Sequence, residues 1–189
     1  MKKLLFIIAL SILVSAAPLA MPCNTTTDED APLPLLYSAR EGDEENVRCL
    51  LDNGANVNAV GVNGSTALYF AAIKGHTNIA RLLIERGAHV NATYGRGDTA
   101  LMNAAANRHT DIVRLLLDKG ADANATDEDG LTALMGAAFG GRTDIARLLI
   151  DRGADVNAAN KKGYTVLDIA KDFGHTAIVE MLRAAGAKE

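Results

Sequence analysis

His76, His109 and His175 stand at multiples of 33 residues from one another, and imidazoles in register are a residue type from which metal sites are built. Register alone does not make a site here. Packed helices lie about 8–10 Å apart, whereas an ion is gripped at about 2 Å, so rings on successive units cannot share one. These histidines are therefore read as shaping a turn between two helices, with ring nitrogens available for hydrogen bonds. His89 stands alone in a loop and completes no His–Cys–carboxylate set. Asp127, Glu128 and Asp129 form an acidic run, but it lacks the oxygen-ligand spacing and central glycine of a calcium loop; it reads as a solvated turn. No glycine-rich phosphate loop follows a strand, and no nucleophile–base pair is suggested. Catalytic, cofactor-binding and metal-ligating residues are accordingly assigned as none. The sequons Asn91-Ala92-Thr93 and Asn124-Ala125-Thr126 arise from the spacing described next and are read as structural coincidence.

The elements that would position any such group repeat. Gly-Ala recurs at Gly54, Gly87, Gly120, Gly153 and Gly186, always 33 residues apart. Thr-Ala-Leu keeps the same step at Thr66, Thr99 and Thr132, and returns as Thr165-Val166-Leu167. Two independent marks on one period imply a stack of supersecondary units rather than a globule around one core. Such a stack offers a binding surface, and a pocket enzyme is not expected.

Within one unit, Asn63-Gly64 signals a turn, and Thr66 can cap a helix by accepting a backbone N–H. The helix carries Leu68, Ala71 and Ala72 and stops at Gly75. Paired alanines, repeated as Ala104-Ala105 and Ala137-Ala138, let neighbouring helices approach closely. The second helix starts near Thr77 and gathers Ile79, Ala80, Leu82, Leu83 and Ile84 on one broad face. Gly87 supplies the left-handed residue that ends it. Val90-Asn91-Ala92 then runs out as an extended arm. Arg108 stands where other units place Gly42, Gly75, Gly141 and Gly174. In a left-handed conformation it would be strained by about 1 kcal/mol, which predicts that the third unit is locally the least stable.

The termini read differently. Lys2 and Lys3 precede an apolar stretch from Leu4 to Val14, broken only by Ser11, and a small-residue segment from Ser15 to Ala20. That run is shorter than the roughly 18–20 residues that span a bilayer. Residues 1–20 are therefore expected to be a signal peptide cleaved near 16–20, with an uncleaved inner-membrane anchor as the alternative. The lysine pair has a bacterial look and points to a periplasmic or secreted protein. Residues 21–30 read as a flexible acidic spacer. Met21-Pro22 poorly suits the small residues that should precede a lipidated Cys23. Cys49 falls where later units place Leu82, Leu115, Leu148 and Met181, so it reads as a small core hydrophobe. Export would permit a Cys23–Cys49 bridge, but a buried Cys49 and a mobile Cys23 favour two free thiols. Without Lys2 and Lys3, the 19 basic and 23 acidic residues leave a formal charge of −6. Acids and bases alternate and tryptophan is absent, a poor balance for nucleic acid.

Thr66-Ala67-Leu68, Gly75-His76, Leu115-Leu116-Leu117 and Gly153-Ala154-Asp155-Val156-Asn157 together resemble the ankyrin repeat. The resemblance covers residues 31–189 as five units, about 31–60, 61–93, 94–126, 127–159 and 160–189, with the outer two as caps. It implies an all-α solenoid of helix-turn-helix units with short β-hairpin-like loops. The family's proline is replaced by Ala67, Ala100, Ala133 and Val166, and its histidine by Tyr69, Met102, Met135 and Asp168. That histidine's hydrogen bonds are therefore not carried over. The Leu33-Pro34-Leu35 start lacks the threonine cap, and Arg183 and Ala184 make the last face more soluble.

The resemblance further implies non-catalytic protein binding through a concave face lined by first helices and loop tips. Positions that vary there between units are the candidate partner-binding residues: Tyr69, Ile73, Tyr94, Arg96, Leu131, Phe139, Lys161, Tyr164 and Phe173, beside Val62 and Lys162. Aromatic and arginine side chains are the usual anchors of interfaces. Exported bacterial proteins of similar build suggest a periplasmic adaptor or inhibitor, a secreted effector, or a support factor for an envelope peroxide-removing enzyme. The expected state is a monomer with a protein partner, no cofactor, no small-molecule substrate, and membrane contact only through the signal segment.

Overall fold

Five threonines or acids placed one residue before an apolar helical run decide where the chain turns into helix. In the computed structural model, which describes Cys23 and residues 33–188, Thr66, Thr99, Thr132 and Thr165 each accept a hydrogen bond from the backbone N–H three residues on, at 3.1–3.3 Å. Asp43 does the same for Asn46 at 2.9 Å. Each such cap is worth about 1 kcal/mol. The expected signal peptide, and the spacer apart from Cys23, lie outside the described residues.

Ten α-helices follow among the described residues: α1 Pro34–Glu41, α2 Glu44–Asp52, α3 Ala67–Lys74, α4 Thr77–Glu85, α5 Ala100–Ala106, α6 Thr110–Asp118, α7 Ala133–Phe139, α8 Thr143–Asp151, α9 Val166–Asp172 and α10 Thr176–Ala184. They pair as helix-turn-helix units. Odd-numbered helices stack in one row and even-numbered helices in a second. Between units the chain forms short hairpins. In one, β1 (Thr93–Tyr94) pairs antiparallel with β2 (Asp98–Thr99); in another, Ala159 bridges Thr165. The all-α solenoid with hairpin-like loops is the observed architecture.

Packing follows the period. Leu83, Leu116 and Leu149 occupy one register position and are fully buried, as are Ile79, Ile112, Ile145 and Ile178 at another. Burying one such side chain contributes about 1.5–3 kcal/mol. Exposed ion pairs such as Arg86–Asp52 (2.8 Å) and Arg152–Asp118 (2.7 Å), which tie neighbouring outer helices, contribute at most about 1 kcal/mol. The stacked core dominates, and no unit contains it alone.

Three ladders of hydrogen bonds fix the stacking. At the hairpin tips, Gly95, Glu128 and Lys161 donate N–H to the carbonyls of Asn63, Arg96 and Asp129 at 2.7–2.9 Å. Beyond each second helix, an asparagine reaches the next unit in two directions. Asn58, Asn91 and Asn124 donate Nδ2 to the carbonyls of Gly87, Gly120 and Gly153 at 3.0–3.1 Å. Their Oδ1 atoms accept the N–H of His89, Asp122 and Asp155 at 2.7–2.9 Å. Asn157 repeats the clamp on Gly186 and Lys188. The two sequon asparagines, Asn91 and Asn124, are thus structural.

The third ladder uses the histidines. Nε2 of His76, His109 and His175 lies 3.2 Å from the carbonyls of Arg40, Ile73 and Phe139 in the preceding unit. Each ring sits on the left-handed turn glycine of that unit. A Cβ at Gly42, Gly75 or Gly141 would stand 2.6 Å from the imidazole Cε1, closer than atoms can approach. Arg108 is left-handed at φ 68°, the strained conformation expected for it. It carries the Cβ that the other positions forbid, and the residue that would be the opposing histidine is Arg142. Arg142 immediately precedes α8 at φ −87°, ψ 76°, close to His76 before α4 at −82°, 76°. Two departures from the period therefore compensate one another.

One expectation is corrected. Cys23 and Cys49 form a disulfide, with Cα atoms 5.6 Å apart, and no described cysteine is free. The period misled because Leu82, Leu115 and Leu148 belong to outer helices packed on both sides, whereas α2 packs among outer helices on α4 alone. Cys49 is consequently half-buried rather than a core residue, and Asn53 donates Nδ2 to both Cys23 Sγ (3.2 Å) and the Cys49 carbonyl (2.9 Å).

The Gly–His pairing predicts a strong coupling. Arg142→His alone destabilises, because its ring meets the Arg108 Cβ. Arg108→Gly alone stabilises by about 1 kcal/mol through relief of the left-handed backbone. The double variant rebuilds the pair, with the ring reaching the Ala106 carbonyl. Urea denaturation should show a favourable coupling of about 0.5–3 kcal/mol; additive single effects would contradict the pairing.

Candidate functional site

Among the described residues, the row of first helices and the hairpins beside it carry most of the exposed large apolar groups. Phe139, the last residue of α7, is 60% exposed, and Phe173, just past α9, is 51% exposed. Their rings meet edge to face with centroids 4.5 Å apart, a favoured aromatic geometry. Leu131 and Tyr164 lie exposed on successive hairpins.

The other sequence candidates divide. Tyr69 is 8% exposed and buried in α3. Tyr94 on β1 is half-buried and stacks on it at a centroid distance of 3.8 Å, while Phe70 meets it edge-on at 5.3 Å. Burial first, then Tyr94 and Asp98, push the Tyr69 phenol above the ordinary tyrosine range. Ile73 is half-buried and lends its carbonyl to His109. Arg96 is exposed at a hairpin tip and pairs with Glu128 (3.3 Å) and Asp129 (3.2 Å). Lys161 is exposed, and its N–H serves the hairpin ladder. The acidic run is partly structural: Asp127 Oδ1 accepts the N–H of Asp129 and Leu131 at 2.8 and 2.7 Å. Asp168 makes a reciprocal box with Thr165. Hydrogen bonds from the Thr165 backbone and hydroxyl hold its carboxyl below the usual carboxylate range.

A groove of about 460 Å³ opens between the third and fourth units and reaches the fifth. Its walls are mainly apolar, from Met102, Leu131, Met135, Phe139 and Ile169. Asp98 and Asp127 stand at the hairpin end, and Arg142 at the other end beside Gly140. Small residues make the space. Gly136 occupies a position held elsewhere by Tyr37, Phe70, Asn103 and Ile169, and Gly140 one held by Glu41, Lys74, Asn107 and Phe173. Sequence reasoning missed this groove. Its signal was a pair of bulky columns that fall to glycine in one unit.

Asp98 is half-buried, and burial and then the Asp127 charge raise its carboxyl above the ordinary aspartate value, with Arg96 partly opposing. Among the described residues no ion pair reaches Asp98 or Asp127, and no group of three or more metal-ligating side chains is assembled. Nor is any described helix long and apolar enough to cross a membrane.

Stacked helical pairs with inter-unit ladders and a grooved, aromatic-bearing face define a repeat protein that offers a binding surface. The family profile described as ankyrin repeats (3 copies) matches residues 9–94, 35–127 and 101–188. The chain belongs to the ankyrin repeat family. No curated protein matches it.

The position of Asp98 sets a pH-dependent expectation. A carboxyl whose folded value is raised opposes folding when ionised, and that cost vanishes as pH falls through its folded value. Asp98→Asn should therefore raise Tm modestly at pH 7, with the gain shrinking as pH falls through the raised folded value and gone below about pH 4. A constant gain at all pH values, or a loss at pH 7, would contradict the assignment.

Proposed function

We propose that this protein is a periplasmic adaptor or inhibitor that binds one partner protein through its first-helix face and hairpins. Ankyrin repeats are protein-interaction modules and typically non-catalytic. The observation that carries the reading is the Phe139–Phe173 pair, two exposed rings in mutual contact beside an apolar groove. A monomer that exposes paired aromatics next to a groove leaves costly surface in water unless a partner covers it. Aromatic anchors surrounded by variable polar residues are how interfaces concentrate binding energy.

Export is supported from two directions. The amino-terminal sequence has the basic start, short apolar run and small residues of a signal peptide. The Cys23–Cys49 disulfide suits an oxidising compartment, and it ties the segment just beyond the expected cleavage region to the first unit. A monomer fits the role, since each binding face would then serve one partner.

Cross-linking capture from the cell envelope tests the reading. The mature protein should retain a defined partner. The Tyr94→Ala, Phe139→Ala, Phe173→Ala triple variant should bind that partner at least about tenfold more weakly with unchanged helical circular dichroism. Equal capture by both proteins would overturn the assignment of the face. Fractionation should find the mature chain in the periplasm. Recovery outside the cell would favour the effector reading, and recovery in the cytoplasm would contradict export.

A further inference from the structure

We propose that the groove between the third and fourth units takes a short segment of the partner that presents a large apolar side chain next to a lysine or arginine. This deepens the binding reading above and rests on it. The apolar part follows from the walls: Met102, Leu131, Met135 and Phe139 frame a space that Gly136 leaves empty. Its volume, about 460 Å³, is at the scale of a ligand-sized cleft and exceeds one leucine or phenylalanine side chain. The basic part follows from charge. Asp98 and Asp127 face one end of the groove without a cation of their own. Arg96, the nearest basic residue on that hairpin, is already held by Glu128 and Asp129. Arg142 lies at the opposite end, where its side chain runs along Gly140.

Electrostatic and apolar demands thus fall at adjacent points on one face, which selects for sequence as well as for hydrophobicity. An acidic segment would meet two carboxylates that already repel one another, and like charges brought together there disfavour the wrong partner. Aligned carboxylates also argue against a second copy of this chain, whose mature form carries a formal charge of −6.

The direct test is selection of a displayed library of random twelve-residue peptides on the mature protein, compared with Gly136→Ile and Asp98→Asn. Gly136 has an ordinary helical conformation, and a Cβ there would meet nothing closer than 3.8 Å. Isoleucine already stands at the matching position 169, so this variant fills the groove while the helix is kept; its Tm and circular dichroism are measured alongside. The expected result is enrichment of peptides pairing Leu, Ile, Phe or Met with Lys or Arg within about four residues. Their affinity should fall at least tenfold on Gly136→Ile. On Asp98→Asn it should fall severalfold for lysine-bearing peptides and stay unchanged for their glutamine counterparts. Enrichment of acidic peptides, no enrichment, or equal binding to Gly136→Ile would overturn the proposal. Self-association of the protein that is lost in Gly136→Ile would overturn it in favour of a second copy. If the envelope partner is captured equally by the wild-type protein and Gly136→Ile but lost with the aromatic triple variant, the groove proposal fails while the binding reading stands.

Discussion

A single asparagine at each junction between units holds this structure in register. Each of Asn58, Asn91, Asn124 and Asn157 donates to a glycine carbonyl and accepts an N–H from the following unit. A side-chain amide engaged on both atoms fixes separation and rotation together. The buried leucines and isoleucines supply far more stabilisation, but apolar contacts are non-directional. Without a directional constraint they would tolerate a range of stacking angles. The amide clamp, with the histidine–carbonyl and hairpin-tip ladders at two other levels, selects one.

That register is what assembles the site. The groove draws residues from three units, and the Phe139–Phe173 pair spans two. Neither exists in an isolated unit. The same logic explains where the array departs from its own pattern. The histidine ladder is interrupted only between Arg108 and Arg142, and that interruption borders the groove. The Nε of Arg142 is buried without a hydrogen-bond partner, and Gly140 leaves room for the side chain: a Cβ there would stand 2.9 Å from that nitrogen. A glycine in a bulky column, an arginine in place of a histidine and a strained turn are thus parts of one local rearrangement.

Much of the fold was legible because its determinants are local and repeated. Threonine caps, left-handed glycines after each second helix, and the apolar face of that helix can each be read within one unit. The histidines were correctly assigned to turn geometry, but their partners lie 36 residues away and no local pattern names them. The disulfide was missed because a column of buried leucines was extended to a unit packed on one side only. Among the candidate contact residues, variation between units did not separate exposure from packing: Phe139 stands in solvent, while Tyr69 varies equally and lies beneath Tyr94. The groove was missed because it consists of missing side chains, which form no motif and show only when each column is compared across units.

Amide hydrogen exchange on Asn124→Ala, compared with the wild-type chain, measures the clamp most directly. Removing two inter-unit hydrogen bonds costs about 1–2 kcal/mol. In a quasi-one-dimensional stack that loss should appear as sub-global opening beyond the broken boundary. The account predicts roughly tenfold faster exchange through α7 to α10, with α3 and α4 little changed. Faster exchange confined to the Asp155 amide, with α7 to α10 protected as before, would show that apolar packing alone sets the register and would contradict it.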